Sequence, residues 1–128
     1  MLLKSRTIRI ALRTAATATA AMLVWLTVVP AAERPGTGLE HHLEHFGAFL
    51  LPGILFTLGF EVRTRTMLVI SIAFAAIIEC MQIPLPTRHA RLGDFVIDAA
   101  GICAGILIAY FAQARFQRPH ARQATPAE

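Results

Sequence analysis

Four long apolar stretches alternate with short polar connections along this 128-residue chain. They cover about residues 8–29, 43–60, 66–83 and 93–112. Each is close to the roughly 20 residues that cross about 30 Å of hydrocarbon at 1.5 Å per residue. The breaks between them carry turn chemistry: the segment Pro30 to Gly38 (PAAERPGTG), the charged turn at Glu61, Arg63 and Arg65, and Pro84 and Pro86 after the third stretch. Pro52 inside the second stretch removes one helical hydrogen bond and predicts a kink that neighbouring helices can compensate. The pattern predicts an all-α protein, a four-helix transmembrane bundle.

Composition sharpens this reading. Only 16% of the residues are charged, against about 25% in soluble domains, and they gather at the ends of the apolar stretches. Nine of the lysines and arginines fall on one side of the alternating path: Lys4, Arg6, Arg9, Arg13, Arg63, Arg65, Arg115, Arg118 and Arg122. Three, Arg34, Arg88 and Arg91, fall on the other. Positive charge is retained on the cytoplasmic side, so both termini are expected there. Residues 1–7 then form a cytoplasmic N-terminus, residues 8–112 the bundle, and residues 113–128 a disordered cytoplasmic tail. The first stretch has a rival reading as a signal peptide, with Val29-Pro30-Ala31 resembling a cleavage site. Extension back through Ile8, Ile10 and Leu12, with Arg9 and Arg13 snorkelling, favours a retained helix.

The net charge of +4 lies beside apolar stretches, where topology signals and lipid phosphates belong, and no aromatic-interleaved basic patch points to nucleic acid. Cys80 and Cys103 lie inside apolar stretches and read as small buried hydrophobes with no disulfide. No phosphate-binding glycine loop, nucleophile elbow or Cys-x-x-Cys pair occurs, and no cofactor is expected. Membrane lipid is the expected surrounding partner.

Against this background the polar residues inside the apolar stretches stand out. Glu79 and Gln82 share a face near the end of the third, and Asp94 and Asp98 lie near the start of the fourth. Alternating direction brings Glu79 and Asp98 to one level, about 6 Å beneath the outer surface, and His45 of the second stretch close to it. Asp94, Asp98, Gly101 and Gly105 form one stripe, in which Gly101 and Gly105 make a small-xxx-small pair suited to close helix packing. An acid at the membrane centre costs about 2.5 to 3.5 kcal/mol, so partners are required. Arg88 and Arg91, in the connection between the third and fourth stretches, are the obvious ones, with His45 a third.

The ordered set His45-Phe46-x-x-Phe49, Glu79-x-x-Gln82, Arg88 and Asp94-x-x-x-Asp98-x-x-Gly101 resembles the VanZ-like family of small bacterial membrane proteins over about residues 39–111. The resemblance implies a four-helix domain in the bacterial inner membrane. It also implies a link to the cell envelope, since the founding member confers low-level teicoplanin resistance and other members accompany envelope polysaccharide genes. The chain departs from the family pattern in two places. His41 and His42 stand where an Asp-Lys pair is common, and Asp98 stands where Asn is common.

The expected function is binding or modification of an envelope component, a lipid-linked or peptidoglycan-related group, at an outer-leaflet site of His45, Glu79, Gln82, Arg88, Asp94 and Asp98. The arginines would meet phosphate, and the acids would orient them or bind amines. One alternative is a metal-dependent membrane enzyme with ligands from His41, His42, Glu44 and His45 near Glu79 and Asp94; HHLEH is not the HExxH arrangement, and the primary expectation includes no metal. Another is a purely structural polar network. A transporter or proton relay fits less well, because the ionisable residues stop at one side.

Overall fold

A computed structural model describes residues 5–30, 33, 38–84 and 92–117. Four α-helices follow one another: α1 (Arg6–Val28), α2 (His41–Gly59), α3 (Thr64–Gln82) and α4 (Leu92–Gln117). Each sits within a few residues of its apolar stretch, except at the far end of α4. That helix continues five residues past the expected limit at 112. Its last turns are Ala112, Gln113, Ala114 and Arg115, polar enough to end an apolar run yet all good helix formers. Gln113 Nε2 also donates to the Thr57 carbonyl at 3.2 Å, tying this extension to α2.

The helix ends have local causes. Glu40 caps α2, its carboxylate accepting from the backbone N–H groups of His42 and Leu43 at 3.1 and 3.3 Å. This starts the helix at His41, two residues before the apolar pattern does. Pro30 follows closely on α1, and Pro84 follows α3, where neither can supply a donor to continue the ladder. Pro52 lies within α2 and is fully buried, and the helix continues through it.

The helices are not equivalent in the packing. α2 and α4 share the largest interface, α1 lies mainly on α2, and α3 mainly on α4. Contacts from His45–Asp98 at one end to Thr57–Gln113 at the other show α2 and α4 running in the same direction. Their seam is made of glycine. A Cβ at Gly101 would collide with the Phe46 carbonyl, and one at Gly105 with the Leu50 carbonyl. Gly53 meets Ile102 in the same way from the other side. The stripe that carries Asp94 and Asp98 is therefore the one along which α2 lies backbone to backbone. Leu23, Phe49, Ala75, Ile78 and Ile102 fill the centre, one or more from every helix.

The distribution of polarity is inverted relative to a protein in water. Asp98 is 0% exposed, whereas Val69 is 68% and Phe111 65% exposed. Ser71, Glu79, Gln82 and Asp94 are buried too, and Trp25, Ile70 and Ile77 face outward. Such an apolar exterior suits lipid. α1, α3 and α4 as far as Arg115 are each long and apolar enough to cross a membrane. α2 does not reach that measure, because His41, His42, Glu44 and His45 occupy its first turns. Its apolar part, residues 46–59, is about 21 Å long at 1.5 Å per residue, short of the roughly 30 Å hydrocarbon layer.

Cys80 corrects one expectation. It is exposed, while Cys103 is half-buried against the core, and both thiols are free. Cys80 follows the buried Glu79 by about 100° of helical turn, so it looks out of the bundle. The segment 113–128, expected to be disordered, is helical as far as Gln117, and the rest lies outside the described residues.

Candidate functional site

Two helix starts meet at one end of the bundle. In α2, His41 and His45 are one turn apart, and in α4 so are Asp94 and Asp98. Because α2 and α4 are parallel, the two pairs fall into register as two rungs. His41 Nε2 lies 3.5 Å from Asp94 Oδ2, and His45 Nδ1 lies 2.9 Å from Asp98 Oδ1. The glycine seam sets this spacing, since Gly101 follows Asp98 by one turn and already touches the backbone of Phe46.

The rungs differ in depth. At the outer one the His41 side chain is 53% exposed and Asp94 10%; at the inner one His45 is 20% exposed and Asp98 0%. In exposure the site is thus funnel-like, open at His41 and fully buried at Asp98. The rings of His41 and His45 lie 4.5 Å apart between centroids, filling the α2 side of it.

The inner rung fixes the chemistry of His45. A carboxylate oxygen only accepts, so Nδ1 carries the proton and donates it to Asp98. In the neutral ring Nε2 then holds a free lone pair. The second oxygen of Asp98, Oδ2, is buried with no hydrogen-bond partner among the described residues. A buried carboxylate oxygen left in this state is costly, on the order of 1 to 3 kcal/mol.

α3 adds the third side. Glu79 and Gln82 are both buried, and Gln82 Nε2 reaches Glu79 Oε1 at 3.4 Å. Glu79 lies close enough to His45 to act on it electrostatically, together with Asp94 and Asp98. Of the residues singled out from the sequence, His45, Glu79, Gln82, Asp94 and Asp98 come together here, with Gly101 and Gly105 directly beneath on α4. Arg88 and Arg91 lie outside the described residues.

What sequence reasoning missed was the outer pair. It named His45, which meets Asp98, among the partners of the acids alongside Arg88 and Arg91, and treated His41 only as an alternative ligand, whereas His41 is the outer partner of Asp94. Two i, i+4 pairs of complementary type on two parallel helices were a usable signal. His42 stands apart, its Nδ1 3.1 Å from the capping Glu40.

The opposite end is organised by arginine. Arg9 pairs with Glu61 at 2.9 Å, and Arg13 donates to the Gly59 carbonyl at 2.9 Å with its guanidinium 5.2 Å from the Phe60 ring centre. These contacts bind the start of α1 to the α2–α3 turn. Among the described residues the two ends of the bundle therefore differ sharply: basic at one, acidic and imidazole-rich at the other.

Comparison with known proteins places this arrangement. Neither curated proteins nor solved structures gave a match. The family profile described as VanZ/LLP1 matches residues 13–113. That span holds all four helices apart from the first turns of α1 and the last of α4, and includes both rungs of the site. An apolar-surfaced helical bundle with this match over most of its length is a membrane protein, and the chain belongs to the VanZ/LLP1 family.

Proposed function

We propose that the imidazole and carboxylate end of the bundle faces the cell exterior and binds an envelope component, a lipid-linked or peptidoglycan-related group. One observation carries this reading: three buried acids, Glu79, Asp94 and Asp98, are gathered with two histidines at a single end of a helix bundle whose exterior is apolar. Ionisable groups held at that position against the insertion penalty mark function more often than packing. The connection from Gln82 to Leu92, which carries Arg88 and Arg91, starts and finishes at this same end. Those arginines supply the phosphate contacts, and the acids hold them or receive an amine.

Sidedness supports the reading. The basic residues Arg6, Arg9, Arg13, Arg63, Arg65 and Arg115 belong to the opposite end, where the positive-inside rule keeps them in the cytoplasm. The protein is then a multi-pass protein of the bacterial inner membrane with both termini inside. Resistance to teicoplanin-type glycopeptides is the narrower form of this function, suggested by the family's founding member and read directly as drug susceptibility.

The test is complementation of a deletion strain. Glu79→Gln and Arg88→Gln are each expected to abolish the envelope or drug phenotype while the protein stays at normal abundance in the membrane. If both variants complement fully, or if lost phenotype tracks lost protein, the cluster is a structural network and the proposal fails.

A further inference from the structure

We propose that His41, His45 and Asp94 form a binding site for a divalent transition-metal ion of the zinc type, with Asp98 orienting His45 behind it. One ligand atom from each of the three residues lies within 4.8 Å of the other two. A tetrahedral ion with bonds of about 2.0 to 2.1 Å places its ligand atoms about 3.3 Å apart. The His41 to Asp94 separation of 3.5 Å is already close to this, and no separation in the set exceeds 4.8 Å.

The Asp98 carboxylate behind His45 is what separates this site from a simple ion pair. Metal-binding histidines generally donate their other ring N–H to a carboxylate, which fixes the tautomer and raises ligand basicity. Asp98 does this to His45 from a fully buried position, leaving Nε2 as the nitrogen with a lone pair. The Asp98 Oδ2, with no hydrogen-bond partner among the described residues, is a second sign of acceptor capacity left over at the deep end of the funnel. A bound cation would offset the charge of Asp94 and Asp98, the two acids that meet the histidines.

The donor set selects the ion. Two imidazoles and one carboxylate suit zinc and its first-row neighbours, whereas magnesium and calcium favour oxygen alone. With three protein ligands and His41 half exposed, one coordination position stays open toward the mouth of the funnel. An anionic oxygen, such as a phosphate, is the chemistry that fits there. The metal site does not rest on the envelope reading, because it is measured without any envelope ligand.

The experiment uses the full chain, purified in detergent with a tag that contains no histidine, and measures zinc content by elemental analysis and cobalt binding by visible ligand-field bands. Wild type is expected to hold about one zinc per chain that excess magnesium does not displace. His41→Ala, at an exposed position where folding is little affected, and Asp94→Asn are expected to lose it. Asp98→Asn is expected to weaken zinc affinity roughly 10- to 100-fold. Sub-stoichiometric zinc in monodisperse wild-type protein, displacement by magnesium, or unchanged occupancy in His41→Ala overturns the site. Unchanged affinity in Asp98→Asn overturns the orienting role.

Discussion

Asp98 is the residue on which the account turns. Its neighbours are ordinary for a helix start, but it is fully buried, charged and joined to a histidine on another helix. In a bundle of this size such a group persists only while its partner is present. Replacing Asp98 with Leu leaves the His45 ring without its acceptor and is expected to cost about 3 kcal/mol of stability. The double variant with His45→Leu is expected to recover most of that, because both polar groups are then gone. Thermal unfolding in detergent of the two single variants and the double gives the coupling directly. Additive losses would show that the 2.9 Å contact contributes nothing.

At the scale of elements, α2 is the helix that falls short of the length and apolarity needed to cross a membrane, and yet it shares the largest interface, with α4. Glycine explains how. Gly53, Gly101 and Gly105 let α2 and α4 meet at the backbone, which sets the register that pairs histidine with aspartate. A Gly105→Val substitution drives a side chain into the Leu50 carbonyl and is expected to lower the melting temperature and the membrane abundance together. Gly47, one turn from the site, has nothing within 4 Å of where its Cβ would lie. Gly47→Ala is expected to be neutral or to add about 0.5 to 1 kcal/mol, and the same melting experiment compares the two.

How far the sequence disclosed this follows from the same elements. The four helices are legible because apolar length and Pro, Gly or charge at the breaks both change at their boundaries. The end of α4 is not, because Gln113 and Arg115 end the apolar pattern without ending helix propensity. The start of α2 depends on Glu40, an acid whose capping role shows only in its contacts. Membrane depth alone brought His45 level with Glu79 and Asp98. Which acid meets which base depends on the α2–α4 register, a tertiary property that no single helix encodes. For that reason the His41–Asp94 rung shows in the sequence only as two i, i+4 pairs of complementary type, without the register that joins them. Cys80 shows the complementary limit: in a lipid-facing protein an apolar stretch does not distinguish a buried position from an exposed one.

At the scale of the whole molecule the protein is a polar site enclosed in an apolar coat, with the arginines of the described residues at the far end. Arg9, Arg13 and Glu61 hold that far end together, and the histidine and acid funnel opens at the other. An envelope-facing function requires the funnel to open outside the cell, and sidedness tests that most directly. Leu39 lies just before α2 at the funnel end, and Val62 in the turn at the basic end; both are exposed. In a background with Cys80→Ala and Cys103→Ala, single cysteines at positions 39 and 62 are reacted with a membrane-impermeant maleimide in intact cells. The account predicts labelling at 39 in intact cells and at 62 only after permeabilisation. Labelling at 62 in intact cells, with 39 protected until the membrane is opened, would contradict it.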